Sequence, residues 1–165
     1  MAASRTRAPK RPKNCHERAL GLLAVRPRSR RELQRRLRQA GFEDEEVEDT
    51  LERLEGVGLI DDEAFARQLA EHQLGARKAG RRSVERALAA KGVAPETTRA
   101  ILAEAPEREE ERALELATSR AGRLGGLDPT KAFARLSSML VRRGYDADVA
   151  RRAARRALAI DGLED

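Results

Sequence analysis

A short apolar pattern closed by glycine occurs three times along the chain. Two apolar residues stand four positions apart, a glycine follows four positions later, and an apolar residue comes directly after it. The copies are Leu33-x3-Leu37-x3-Gly41-Phe42, Val84-x3-Leu88-x3-Gly92-Val93 and Leu136-x3-Leu140-x3-Gly144-Tyr145. A spacing of four places both apolar side chains on one face of a helix, and glycine readily adopts the left-handed conformation that ends one. The pattern therefore predicts a chain built from repeated helical units.

Each copy is flanked by further segments with helical periodicity, and no segment alternates apolar and polar residues as a strand does. The predicted fold is all-α, with three tandem three-helix, helix-turn-helix-like repeats that form an elongated curved array. The predicted divisions are a disordered basic arm (1–14), the three repeats (15–58, 59–105 and 106–160) and a tail (161–165).

The same spacing predicts which face of each helix is buried. In the first helix the expected apolar face is Leu20, Leu23 and Ala24, and in the fourth it is Phe65, Leu69 and His72. The segment 122–129 is the longest break in the periodicity, so we expect it to be the most flexible internal joint.

The joint between the first two repeats has almost no linker. Gly58 is placed to end one helix, and Asp61 or Asp62 can cap the next. With Asp61 as the N-cap, Ile60 and Phe65 have the spacing of a hydrophobic staple, which predicts a Phe65 ring buried between the two repeats. The two adjacent acids are expected to cap a helix and not to bind a metal.

Charge is distributed unevenly along the chain. The net charge is +6, and residues 1–15 contribute +5 of it with no acid, so the remainder carries only +1. Charged residues make up 38% of the chain and aromatic residues 2%, which predicts thin Leu, Ala and Val layers instead of one thick core. Contact with nucleic acid then depends on where the charges lie and not on their sum.

Basic residues recur near the corresponding helix of each repeat, whereas the segment 43–55 holds eight acids and one arginine. Solvated helix faces would explain any one cluster, but recurrence favours binding. The side chains expected to contact DNA or a protein are Arg28, Arg31, Arg35, Arg77, Lys78, Arg81, Arg82, Arg86, Lys91, Arg142 and Arg143.

Several functional classes are excluded or disfavoured by what the sequence lacks. One cysteine and two histidines form no metal-ligand cluster, and no phosphate loop or nucleophile elbow occurs, so we expect no enzyme activity, cofactor or metal. No apolar run is long enough for a membrane span or signal peptide, which favours the cytoplasm. A plain single-strand binder is disfavoured because Phe42, Phe65, Phe133 and Tyr145 occupy presumed core or helix-ending positions.

A group of motifs resembles the RecX family. They are Ala19-Leu20-x2-Leu23, Arg28-Ser29-x2-Glu32-Leu33-x3-Leu37, Gly41-Phe42, Gly58-Leu59-Ile60-Asp61-Asp62-x2-Phe65-Ala66 and Leu88-x2-Lys91-Gly92-Val93. The joint is the most specific of them, and its Gly58, Leu59, Ile60, Asp61, Asp62 and Phe65 are expected to have a structural role. The match is strong over residues 16–104 and weak elsewhere. It departs from the family where an aromatic residue often follows the Phe-Ala pair, because only Leu69 and His72 stand there.

The resemblance implies a non-enzymatic regulator that binds the RecA filament on single-stranded DNA and restrains RecA strand exchange and ATP hydrolysis in DNA repair and the SOS response. We expect a monomer whose basic helices face the DNA phosphate backbone while the acidic helix meets protein. The alternative is a helix-turn-helix transcriptional regulator, although no helix mixes Gln, Asn and Ser with arginine as a base-reading helix does.

Overall fold

The structure, a computed structural model, describes residues 14–105 and 107–159. Within these ranges it consists of nine α-helices and one 3₁₀ helix, and no strand is present. The α-helices are α1 (Cys15–Val25), α2 (Arg30–Gln39), α3 (Asp44–Gly56), α4 (Asp62–Leu74), α5 (Arg81–Ala90), α6 (Pro95–Glu104), α7 (Glu109–Ala121), α8 (Pro129–Arg142) and α9 (Ala147–Leu158).

The helices pack as three consecutive bundles, α1–α3, α4–α6 and α7–α9, in each of which every helix contacts the other two. The chain divides into two compact units after Asp61, so α1–α3 form the first unit and α4–α9 the second. The predicted all-α fold of three tandem three-helix repeats is confirmed. The exact repeat boundaries and the curvature of the array remain predictions.

The apolar pairs of the repeated pattern form the centre of each bundle. All six residues are at most 1% exposed, and they are Leu33, Leu37, Val84, Leu88, Leu136 and Leu140. Full burial of one such side chain contributes about 1.5–3 kcal/mol, so the pattern that repeats in the sequence also supplies much of the packing energy.

Glycine ends several of the described helices in the same way. The residues with positive φ at these ends are Gly41 (φ +90), Gly58 (φ +72), Gly92 (φ +77) and Gly144 (φ +91). At Gly144 the amide donates to the Val141 carbonyl (2.9 Å) and the next amide to the Leu140 carbonyl (3.2 Å). This is the Schellman arrangement, which satisfies carbonyls that the end of a helix would leave without partners.

The buried face of α1 differs from the prediction. Cys15, Ala19 and Leu22 are buried, whereas Leu20 and Ala24 are exposed. Leu23 is half-buried and packs against the core as expected. A helix with small and large apolar residues on several sides does not define its buried face uniquely. The expected face was therefore correct for Leu23 and wrong for Leu20 and Ala24.

The buried face of α4 is also displaced from the prediction. Ala66, Ala70 and Leu74 are buried, Phe65 is half-buried against the core of the second bundle, and His72 is exposed. Alanines at the centre of the face allow α5 and α6 to approach closely, and larger residues are left at its edges. The expectation of a fully buried Phe65 was wrong, so its truncation should cost less than the roughly 3–5 kcal/mol typical of a buried ring.

The joint contains the expected helix end and helix start. Gly58 has positive φ, and α4 begins at Asp62, which puts Asp61 at the N-cap position. Ile60 is buried in the core of the first bundle. The staple between Ile60 and Phe65 remains a prediction.

The segment 122–129 lies inside the third bundle, where it connects α7 to α8. It contains the 3₁₀ helix Gly122–Leu124, and Leu124 packs against the core of that bundle. Asp128 caps α8 by accepting hydrogen bonds from the amides of Thr130 (3.0 Å) and Lys131 (3.2 Å). The segment is therefore not a link between repeats.

The ends of the chain are mostly outside the described residues. The basic arm up to residue 13, Ile160 and the tail 161–165 lie there, so expectations about them remain predictions. Asn14, which the prediction placed in the arm, is the N-cap of α1 and accepts from the amide of Glu17 (2.7 Å).

Candidate nucleic-acid and protein interface

A buried ion cluster at the start of α2 involves one of the predicted binding residues. Glu32 is 4% exposed and accepts hydrogen bonds from Arg26 and Arg28, and Arg36 Nε lies 3.5 Å from its Oε1. Arg28 is 7% exposed and also donates from Nε to the Leu22 carbonyl (3.1 Å). Its guanidinium is thus held in the interior. Arg28 is a structural residue, and its assignment to a DNA or protein contact is corrected.

Ion pairs between α2 and α3 neutralise part of the charge that the sequence shows as two opposite clusters. Arg30 pairs with Glu48 (2.8 Å) and Glu55 (3.0 Å), and Arg38 pairs with Asp44 (2.7 Å). The hydrogen bond from Arg30 lowers the pKa of Glu48 below its usual value. The arginine-rich helix α2 and the acidic helix α3 are therefore joined by ion pairs, and only part of their charge is left for contacts with other molecules.

Two arginines of α2 remain available. Arg31 and Arg35 are exposed, stand one helical turn apart, and have no ion-pair partner among the described residues. On α3, Glu45, Asp49 and Glu52 form an exposed acidic row that is likewise unpaired within the described part of the chain. The first bundle thus presents free cations on α2 and free acids on α3.

In the second unit the loop before α5 meets the turn between α8 and α9 through backbone atoms. The Gly80 amide donates to the Arg143 carbonyl (2.9 Å), and the Arg82 amide donates to the Gly144 carbonyl (3.2 Å). The Tyr145 hydroxyl donates to the Lys78 carbonyl (2.7 Å). We call this contact the α5–α8 junction. It brings together basic residues that the sequence places in different repeats.

Most predicted binding residues at the α5–α8 junction already have partners. Arg82 pairs with Asp146 (2.7 Å) and Lys78 with Glu115 (2.5 Å), and this hydrogen bond from Lys78 lowers the pKa of Glu115. Arg143 donates to the Arg77 carbonyl (3.3 Å).

Arg81 is half-buried and also has a structural role. Its guanidinium donates to the Leu102 carbonyl, and its amide donates to Glu109 (3.0 Å). Lys91 is half-buried as well. By contrast, the Arg77 and Arg86 side chains are exposed and have no acidic partner among the described residues, which makes them free cations close to this junction.

Tyr145 offers a direct test of the α5–α8 junction. The side chain is fully buried, and burial raises its pKa to about 12. An unfolded tyrosine ionises near pH 10, so the wild-type protein should lose about 2–3 kcal/mol of stability as the pH rises from about 10 to about 12. Tyr145→Phe should lower the stability by about 1 kcal/mol at neutral pH, because it removes the hydrogen bond to the Lys78 carbonyl. The variant should not show the additional loss of stability between about pH 10 and about pH 12.

The measurement is simple because Tyr145 is the only tyrosine and the chain has no tryptophan. Tyrosinate absorbance follows this one group in the folded protein, and denaturant unfolding compares the two variants at each pH. A phenol that titrates near pH 10 in the folded state would contradict the buried junction.

Two basic residues of α8 were missed by sequence reasoning. Lys131 and Arg135 share an exposed face of that helix with Arg142, which was predicted. The three residues are spaced by four and seven positions, which places them on one face of a helix. This spacing could have identified them, although they do not form a dense cluster in the sequence.

The described residues contain no group of histidine, cysteine and acidic side chains arranged to hold a metal. Among the described helices, none combines the length and the apolar character that a membrane span needs.

Family comparison matches each bundle in turn. The models of the RecX first, second and third three-helix domains match residues 15–54, 61–102 and 107–154. The chain belongs to the RecX family. The third match lies where the sequence motifs are weakest.

Relatives agree with this membership over most of the chain. Regulatory protein RecX of Streptomyces coelicolor is 38% identical over 144 residues, which cover 87% of this chain and 77% of the relative. The protein of the same name from Mycolicibacterium smegmatis is 41% identical over 137 residues, covering 79% and 72%.

A solved structure shares the fold of this RecX-family chain. The crystal structure of RecX from Lactobacillus salivarius has a TM-score of 0.77 at 18% identity and covers 88% of this chain and 96% of its own. A second crystal structure, of a regulatory protein RecX, has a TM-score of 0.75 at 22% identity, covering 89% and 70%.

Proposed function

We propose that the protein is a non-enzymatic regulator that binds the RecA filament on single-stranded DNA and restrains RecA ATP hydrolysis and strand exchange. The observation that carries the proposal is the ordered match of all three RecX domains along the chain. We place the protein in the cytoplasm as a monomer that acts in homologous recombination, DNA repair and the SOS response.

The free charges support a division of contacts on the filament. Exposed arginines without acidic partners suit DNA phosphates or acidic protein surface, since guanidinium groups bind both. The acidic row of α3 would be repelled by DNA and suits a basic protein surface. The alternative function, a helix-turn-helix transcriptional regulator, is also disfavoured. Its recognition helix must enter the major groove, and the last helix of the first bundle is acidic and would be repelled by the DNA phosphates.

The decisive experiment is RecA-dependent ATP hydrolysis on single-stranded DNA with increasing amounts of the protein, together with filament lifetime. We expect the rate to fall as the protein is added. If both the rate and the lifetime stay unchanged at saturating protein, the proposal is wrong.

Two double variants test which free cations contribute. Arg31→Glu/Arg35→Glu changes α2, and Arg77→Glu/Arg86→Glu changes the surface near the α5–α8 junction. Removing one charge-assisted hydrogen bond costs about 1.5–3 kcal/mol, so each variant should need about tenfold or more protein for the same inhibition. The helix content should stay unchanged, because exposed substitutions cost about 0.5 kcal/mol or less.

Arg18→Glu/Arg123→Glu is the matched control, because both arginines are exposed, have no ion pair with any described residue and change the net charge equally. Arg81 and Arg82 are left unchanged since both already have partners within the second unit, the Leu102 carbonyl and Asp146. Equal loss in the control and in a test variant would show that net charge, and not that surface, controls inhibition.

A further inference from the structure

The outer face of α8 carries cations without any neighbouring acid on the same helix. Lys131, Arg135, Ser138 and Arg142 follow one another at intervals of four, three and four residues, which aligns them along the helix. All four are exposed, and within the described residues none of the three cations has an ion-pair partner. We call this row the α8 stripe.

The α8 stripe contrasts with the other basic helices. On α2 Arg30 is held in ion pairs with Glu48 and Glu55, and on α5 Arg82 is held in one with Asp146. On α8 no acidic residue occurs between Pro129 and Arg142, so apart from the N-cap Asp128 the helix carries only positively charged side chains. Such a surface attracts a linear polyanion.

The length of the stripe suits a nucleic-acid strand. The eleven residue steps from Lys131 to Arg142, at about 1.5 Å each, extend roughly 16 Å, against about 3.4 Å of axis per phosphate on one strand of B-form DNA. Three cations on long side chains can therefore reach separate phosphates, and the Ser138 hydroxyl between them can donate to another phosphate oxygen.

A groove of about 370 Å³ opens beside the stripe, between α8 and α9. Ser138 and Arg142 of the stripe also line the groove. The half-buried Phe133 and the exposed Val141 form its apolar wall. Arg151 lines the α9 side. An apolar recess next to a row of cations can hold a base that is unstacked from a strand whose phosphates follow the stripe.

We propose that the α8 stripe and its groove bind single-stranded DNA directly, with phosphates along Lys131, Arg135 and Arg142 and a base in the groove. This deepens the proposed function by locating a DNA contact in the third bundle, and it does not require RecA to be present.

The test is binding of a fluorescein-labelled oligothymidylate to the full chain without RecA, measured by anisotropy across a salt series. Lys131→Gln/Arg135→Gln/Arg142→Gln should weaken binding about tenfold or more at low salt. It should also reduce the log–log salt slope by about two, since each phosphate contact on a single strand contributes about 0.7.

The matched control is Arg18→Gln/Arg53→Gln/Arg123→Gln. These three arginines are exposed, lie on three separate helices and pair with no acid among the described residues. Both triple variants lose the same charge, so a difference between them reports the position of the cations. Equal weakening by both, or none by the stripe variant, would overturn the proposal. Circular dichroism checks that both variants fold.

A second pair of variants tests the groove. Val141 is 43% exposed at the groove and Val25 is 77% exposed on α1, so a polar side chain can reach solvent at both. Val141→Asn should weaken single-strand binding several-fold more than Val25→Asn, with a smaller effect on duplex DNA, and it adds no charge beside the α8 stripe. Equal effects on single strand and duplex would contradict a base in the groove.

These measurements separate the two proposals. If oligothymidylate binding follows the stripe while RecA activity is unaffected by the protein, only the proposed regulation fails. If the stripe variant binds oligothymidylate normally but the protein inhibits RecA, only the DNA site fails.

Discussion

Replacing Glu32 with alanine should destabilise the protein by about 3–5 kcal/mol, the cost typical of removing one partner from a buried ion cluster. Glu32 and Arg28 are both buried, and the carboxylate accepts from Arg26 and Arg28. Without it the Arg28 guanidinium has, among the described residues, the Leu22 carbonyl as its one remaining partner, and it is left as a poorly compensated charge in the interior. The measurement is denaturant unfolding followed by far-ultraviolet circular dichroism.

Two comparisons make the result specific to the buried cluster. Glu48→Ala removes a carboxylate from a partly exposed pair with Arg30 and should cost about 1 kcal/mol or less. Arg28→Ala/Glu32→Ala should cost less than the sum of the single changes, because no uncompensated charge remains. A Glu32→Ala cost as small as that of Glu48→Ala would show that the cluster is not buried in solution.

This result also bears on binding experiments. Arg28 variants should lose activity through unfolding, whereas Arg31 and Arg35 variants should stay folded. Comparing thermal midpoints before RecA assays will therefore distinguish the structural arginine from the exposed ones.

Gly80→Ala should disrupt the α5–α8 junction at a cost of about 3 kcal/mol or more. An added Cβ would lie 2.2 Å from the Gly144 carbonyl carbon and 2.3 Å from the Tyr145 amide nitrogen. These are backbone atoms, and the Gly80 amide is itself bonded to the Arg143 carbonyl. Relief therefore requires moving the loop before α5 away from the third bundle.

Two other glycines separate steric clash from backbone strain. Gly126→Ala has no atom within 4 Å of the new Cβ and no positive φ, so stability should change by about 0.5 kcal/mol or less. Gly41 also has open space but φ of +90, so alanine there should cost about 1–2 kcal/mol. If Gly80→Ala destabilises the protein no more than Gly41→Ala does, the backbone of Gly80 does not lie against that of Gly144 and Tyr145 in solution. Tyr145 absorbance should show a pKa nearer 10 in the Gly80 variant if the junction opens.

The sequence by itself determined the helical fold and its repetition. Leu37 with Gly41, and Leu140 with Gly144, each specify a helix and its end through neighbours no more than five residues apart. Such local interactions can be read from spacing alone. The buried faces of α1 and α4 were less well predicted, because alanine and half-buried large residues make several faces of one helix similarly apolar.

Only the tertiary structure decided which charges are free to bind. Arg28 and Arg31 look alike in the sequence, yet the first is buried with Glu32 and the second is exposed. Arg82 is neutralised by Asp146, 64 residues away. An ion pair depends on which helix lies alongside, and the packing that brings distant side chains within hydrogen-bond distance leaves no periodic signal in the sequence.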